Sequence, residues 1–129
     1  LNSLKIEYKF IDVILLLFFK RKIALVCGIS MEPLLKNGDI VFYKHIVNKG
    51  KLSIGDIVIL NHPIKNIQLI KRISSIDDHS IGVSGDNIEF SDDSTDFGLI
   101  NKDEIIGLVT SRLSNKSVIK AKNFFKLRR

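Results

Sequence analysis

From Ile23 onward the chain is built of short β-branched runs separated by turn residues, and this punctuation is what most restricts its fold. Asn37-Gly38-Asp39 leads into Ile40-Val41-Phe42-Tyr43, and Ile54-Gly55-Asp56 leads into Ile57-Val58-Ile59-Leu60. Gly-Asp-Ile-Val thus recurs at 38–41 and 55–58 as two turn-then-strand units, too short to indicate a duplication. Asn61-His62-Pro63 closes the second unit, Ile67 to Ile76 forms a longer third run, and Ile81-Gly82-Val83-Ser84 a fourth. A polar loop from Gly85 to Gly98 precedes a last strand near Glu104 to Arg112. Short strands at this spacing, with helix only at the two ends, predict a mostly antiparallel β domain.

At 129 residues the chain holds one domain with a real core. We expect three stretches: an apolar and basic N-terminal segment over 1–22, a folded domain over 23–113, and a basic tail over 114–129. The apolar share of 45% argues against disorder. Lys and Arg outnumber acids 20 to 14, giving +6, yet no nucleic-acid motif accompanies the charge. His45, His62 and His79 lack metal-ligand spacing and read as surface or loop residues, so no metal and no cofactor is expected. The single cysteine, Cys27, cannot form an internal disulfide.

Phe10 to Phe19 is nearly all apolar, broken by Asp12 and halted by Lys20-Arg21-Lys22. Ten residues fall short of the roughly 20 a membrane-spanning helix needs. Cations where a cleavage site would stand argue against a secretory signal. Two readings remain: a helix packed on the domain, or a monotopic anchor with a basic collar at the headgroups. The chain begins at Leu1, which leaves room for a longer segment upstream. The tail, with Lys120, Lys122, Lys126, Arg128 and Arg129 around Phe124-Phe125, reads as a solvated segment with one apolar pin; contact with anionic lipid or an acidic partner is the other reading.

Three segments carry candidate chemistry. Gly28-Ile29-Ser30-Met31-Glu32-Pro33-Leu34 follows the apolar run Ile23 to Val26, so Ser30 is expected to emerge from a buried strand into a Pro-braked turn. Downstream, alternation on a strand puts Ile67, Leu69, Lys71 and Ile73 on one face, with Gln68, Ile70 and Arg72 on the other. Lys71 therefore sits among aliphatic residues. A free lysine, with pKa near about 10.4, is an unprotonated base in roughly one of a few thousand molecules at pH 7. Burial disfavours the ammonium and supplies the neutral amine a serine hydroxyl needs. Arg72 stays protonated and cannot do this, and Lys44 lies where strand passes into loop. The bland alternative for Lys71 is a lysine snorkelling at a strand edge. The third segment is Gly85-Asp86-Asn87-x-x-x-Ser91-x-Asp93-Ser94.

In that order, these segments resemble the type I signal peptidase family of Ser–Lys proteases, over about Gly28 to Gly107. The resemblance implies the signal-peptidase or SOS-repressor type of antiparallel β domain. It implies Ser30 as nucleophile and Lys71 as general base, with Ser91 holding the lysine amine. Gly28, Ser30 and Met31 would position the oxyanion and substrate, while Asp86, Asn87, Asp93 and Ser94 would support the loop. The implied substrate is a protein precursor with an N-terminal leader, in a bacterial protein that is cytoplasmic or peripheral to the plasma membrane.

The sequence departs from the pattern in two places. Gly28 stands where the family often has a serine whose hydroxyl serves the oxyanion hole, and Thr95 replaces an arginine that would pair with Asp93. Losing an oxyanion donor costs on the order of 100-fold or more in rate. The large insertions and paired transmembrane helices of housekeeping signal peptidases are not in this sequence. Compactness, the Ile59-Leu60-Asn61-His62-Pro63 segment and the close Gly-Asp-Ile-Val units look most like the branch that matures nickel-type superoxide dismutase. Alternatives are a general signal peptidase, a self-cleaving SOS-repressor-type peptidase, and an inactive β-rich binding module.

Overall fold

In a computed structural model of the chain, which describes residues 9–18, 20–87 and 98–117, the β-rich expectation holds. One helix, α1 (Phe10–Leu17), precedes the strands β1 (Lys22–Leu25), β2 (Ile40–His45), β3 (Ile57–Asn61), β4 (Gln68–Ile76), β5 (Ser80–Ser84), β6 (Ile100–Asn101) and β7 (Ile105–Leu113). Short 3-10 turns at Lys49–Lys51 and Lys102–Glu104 join them, and residues 115–117 turn helical after β7. Among the described residues the strands form one sheet in the order β1-β2-β7-β3-β4-β5-β6, every neighbouring pair antiparallel.

The sequence order of apolar residues explains this layout. β3 is the middle strand, and its run Ile57-Val58-Ile59-Leu60 is buried on both faces. Val58 and Leu60 join Ile73, Ile81, Val83, Ile100 and Ile105 in one cluster. Ile57 and Ile59 join Val26, Met31, Leu35, Val41 and Val109 in the other. Bulges in the β2–β7 and β3–β7 pairs shift the register of β7, which bends the sheet and lets β7 serve both clusters.

β1 corrects one expectation. The apolar run before the nucleophile turn is an edge strand, not a buried one: Ile23 and Leu25 are exposed and only Val26 is sealed into the core. Among the described residues β1 pairs with β2 alone. The strands from β2 to β5 and β7 match the expected runs closely, whereas the two-residue β6 falls between the expected loop, which ends at Gly98, and the expected last strand. Lys44 is exposed as expected, although β2 continues one residue beyond it.

α1 is inverted relative to an ordinary surface helix. At about 100° per residue, Phe10, Ile11, Leu17 and Phe18 share one side, and all four are exposed. Asp12 lies opposite and is the buried residue, at 1% exposure. Its carboxylate accepts bonds from Ser111 Oγ at 2.6 Å, Thr110 Oγ1 at 3.1 Å and Arg21 Nε at 2.9 Å. These three bonds tie α1 to β7 and to Arg21. Within the described residues no helix is long and apolar enough to cross a membrane.

Candidate active site

Two backbone bonds close the base of the loop that carries Ser30. Val26 N–H donates to Asp39 O at 2.8 Å, and Gly38 N–H donates back to Val26 O at 2.8 Å. Between them the chain runs through Gly28, at φ +88°, and a cis Glu32–Pro33 peptide. Met31 and Leu35 are almost wholly buried and plug the turn into the Ile57/Ile59 side of the core. Ser30 itself stays half-buried, one residue from that plug. The Ser-Met-x-Pro pattern therefore has a packing reason: methionine anchors the turn while serine remains accessible.

Asp39 braces the far side of the loop. It is 2% exposed, and its carboxylate accepts the Lys36 N–H at 2.9 Å and the Asn115 N–H at 2.7 Å. Arg112 Nη1 lies 3.5 Å from the same carboxylate and donates to Leu34 O at 3.1 Å. Within the sequence, Asp39 and Asn37 read only as turn formers; their real partners lie on the nucleophile loop and beyond β7, which local spacing does not reveal.

Lys71 lies at the centre of β4, opposite Val58, and is 2% exposed. The alternation that grouped it with Leu69 and Ile73 is the one the sheet adopts, since Ile73 and Leu69 belong to one core cluster and Ile70 to the other. The snorkelling alternative fails, because the amine does not reach bulk water. Arg72 points the other way and has its own task. Its guanidinium makes two parallel 2.8 Å bonds to the Asp86 carboxylate and a third, also 2.8 Å, to Gly55 O. The bonds Arg72 donates to Asp86 raise its pKa above the ordinary value, against the opposing effect of burial.

Asp86 is thus tied to the residue after Lys71, and Asn87 is tied to the serine turn. Asn87 N–H donates to Ser30 O at 2.9 Å, and its side-chain Nδ2 donates to Ile29 O at 3.1 Å. The Gly-Asp-Asn segment bridges the serine loop and the lysine strand through adjacent residues. Ser91, Asp93, Ser94 and Thr95 lie outside the described residues.

A cleft of about 180 Å³ opens beside Ser30, with Leu25 to Gly28 and Met31 on one wall and Gln68, Leu69 and Ile70 on the other. The second wall is the segment that runs directly into Lys71. Gly28 lines the cleft, but its N–H is already donated to Asn37 Oδ1 at 2.9 Å. The Met31 side chain is a core group, so any part it takes in positioning belongs to its backbone.

The histidines lie at exposed or loop positions. His45 and His79 are exposed, and His62, in the loop between β3 and β4, is 7% exposed: its Nδ1 accepts the N–H groups of Ile64 and Lys65 at 3.0 and 2.9 Å and so organises the turn before β4. Among the described residues no group of His, Cys, Asp or Glu is arranged to hold a metal ion.

With this geometry in place, the comparisons with known proteins are informative. The model of the family described as "Signal peptidase, peptidase S26" matches residues 6–77, more than half of the chain, including both Ser30 and Lys71. Signal peptidase I of Bacillus licheniformis is 39% identical over 70 residues, covering 54% of this chain and 34% of that protein. The match thus spans about a third of the relative's length. The Gly85-Asp86-Asn87 segment lies beyond the family match, so its tie to Ser30 is independent of it. The chain belongs to the peptidase S26, or signal peptidase, family.

Proposed function

We propose that this protein is a serine endopeptidase that removes an N-terminal leader from a precursor protein, with Ser30 as nucleophile and Lys71 as general base. The observation that supports the reading most is the burial of Lys71 in β4 directly after Gln68, Leu69 and Ile70, three residues that line the same cleft as Ser30. Burial disfavours an ammonium, and a neutral amine takes the Ser30 proton as Oγ attacks the scissile carbonyl. The same proton goes to the leaving amine as the C–N bond breaks, and water then hydrolyses the acyl-serine. Among the described residues no acceptor takes the Ser30 N–H, which leaves it to stabilise the oxyanion. Ser91 is proposed to hold the lysine amine, with Asp93 and Ser94 supporting its loop.

The cleft supports one class of substrate. Its lining is mostly aliphatic and its volume is small, which suits small side chains flanking the cleaved bond. A general leader peptidase is supported by the name of the Bacillus licheniformis relative. A dedicated role in maturing nickel-type superoxide dismutase is the narrower reading, and it rests on the compact sequence pattern. α1 presents Phe10, Ile11, Leu17 and Phe18 outward beside exposed Lys20 and Lys22, the composition of a helix lying against an anionic lipid surface.

The deciding experiment is covalent labelling with an acylating peptide ester, read by mass spectrometry. The expected adduct sits on Ser30, is absent in Ser30→Ala, and forms at least about 100-fold more slowly in Lys71→Ala. Equal labelling of wild type and Ser30→Ala would end the proposal. A nickel superoxide dismutase precursor and an unrelated secretory precursor, offered together, separate the dedicated from the general reading. Flotation with anionic against neutral vesicles tests the lipid contact, and equal failure to float with both refutes it.

A further inference from the structure

We infer that Asn37 is a positioning residue for the nucleophile, acting through the Gly28 amide. The inference rests on the peptidase reading of Ser30 and extends it to a residue that no family motif marks.

The two residues before Ser30 are held only in part by packing. A Cβ built on Gly28 would meet nothing within 4 Å, and the Ile29 side chain is 42% exposed. Gly28 also has the widest backbone freedom of any residue type, and it sits at φ +88°. The peptides entering the nucleophile are therefore fixed by hydrogen bonds. Asn87 grips them from one side, at Ile29 O and Ser30 O. Asn37 grips them from the other, its Oδ1 accepting the Gly28 N–H across nine residues of chain.

Asn37 is suited to this because its own backbone is braced. The Gly38 N–H is bonded to Val26 O, the Asp39 N–H to Lys36 O, and the buried Asp39 carboxylate to Lys36 and Asn115. The acceptor is thus presented from the rigid base of the loop to its most pliable point. Without it the Cys27–Gly28 peptide loses this anchor, Asn87 alone holds the turn, and the direction of Ser30 Oγ relative to the cleft is set less tightly. Misplacement on the ångström scale costs about 100-fold in well-aligned reactions.

The test uses wild type, Asn37→Ala and Asn37→Asp, the last retaining an acceptor oxygen. Gly28 amide exchange is followed by NMR, and the acylation burst is followed with N-acetyl-alanine p-nitrophenyl ester. In Asn37→Ala we expect Gly28 exchange to rise and the saturating burst rate to fall, each by about tenfold or more, with half-saturation within about twofold. Asn37→Asp should restore both. A remote core variant, Ile81→Val, supplies the control for lost stability and should keep the wild-type burst rate. Unchanged Gly28 exchange, a wild-type burst rate in Asn37→Ala, an Asn37→Asp as slow as Asn37→Ala, or an equal loss in Ile81→Val would each overturn the proposal. A wild type lacking any Ser30-dependent burst, while Gly28 exchange still responds to Asn37→Ala, overturns the peptidase reading and the catalytic part of this one with it. Because exchange is read without turnover, the two failures are distinguishable.

Discussion

Ser111 on β7 donates a 2.6 Å hydrogen bond to the Asp12 carboxylate on α1, joining residues 99 apart in the chain. That bond, with those from Thr110 and Arg21, fastens a helix that turns Phe10, Ile11 and Leu17 outward. Burial, the largest single influence, would raise the Asp12 pKa. The bonds from Ser111, Arg21 and Thr110 and the Arg21 charge outweigh it, so the net direction is down. A carboxylate stabilised in this way contributes fully above its unfolded value of about 3.9 and loses that contribution as pH falls through its lower native value. Asp12→Asn should therefore cost about 2–3 kcal/mol at pH 7. The gap from wild type should narrow progressively below about pH 5. Denaturant unfolding at a series of pH values checks both; a gap independent of pH would mean that the charge is not the source.

The paired bonds between Arg72 and Asp86 predict a coupling that lysine cannot reproduce. Both groups are partly shielded, at 26% and 19% exposure, and the two bonds are parallel. A double-mutant cycle with Arg72→Ala and Asp86→Ala should give a coupling of about 1–2 kcal/mol. Arg72→Lys should lose most of it, since an ammonium cannot span both carboxylate oxygens and Gly55 O as the planar guanidinium does. Thermal melts of the single and double variants measure this, and a coupling near zero would remove Arg72 as the tie between the lysine strand and the Gly-Asp-Asn segment.

Gly28→Ser restores the hydroxyl that the family often carries, yet it should not improve the protein. A Cβ there meets nothing within 4 Å, so it does not clash. The cost lies in the backbone, because φ +88° is a conformation that L residues other than glycine avoid by about 1–2 kcal/mol. We expect a stability loss of that size and acylation no faster than wild type. A faster, equally stable Gly28→Ser would show that the loop adapts and that the missing hydroxyl limits the wild-type rate.

The sheet was legible because β3 and β4 obey simple patterns. The unbroken Ile57-Val58-Ile59-Leu60 run could only be covered on both faces, and the lone cation among alternating aliphatics in β4 marked Lys71 as buried. The clamps around Ser30 were not legible. Asn37, Asp39 and Asn87 act on backbone groups 9, 3 and 58 residues away, and a turn residue such as Asn37 looks alike whether its side chain caps its own turn or a neighbouring one. Asp12 misled for a related reason. An acid interrupting an apolar run suggests a flaw in an apolar face, whereas here it is the most deeply buried residue of the helix.

Gly107 predicts a steric limit in β7. A Cβ at that position would overlap the Tyr43 ring and come within 3.2 Å of Lys44 O on β2. Tyr43 pairs with Val109 rather than lying directly across from Gly107, so its ring crosses the glycine diagonally. Gly107→Ala should cost about 1–3 kcal/mol from overpacking. In a Tyr43→Ala background most of that cost should vanish, leaving only the pressure on Lys44 O. Melting temperatures of the four proteins decide it, and additive losses would show that the ring is not what excludes the methyl group.

Lys71→Met sets stability against chemistry at one position. Methionine approximates the length and volume of the lysine stem without an amine to desolvate, and volume-conserving changes in a packed interior usually cost less than about 1.5 kcal/mol. Lys71 is 2% exposed between Leu69 and Ile73, where a thioether suits the aliphatic surroundings. The variant should therefore melt within a few degrees of wild type or above it. Its acylation by the peptide ester should fall by about 100- to 10,000-fold, because the serine proton has lost its acceptor. Loss of both fold and activity would make Lys71 a structural residue; retention of both would take the base away from the proposed mechanism.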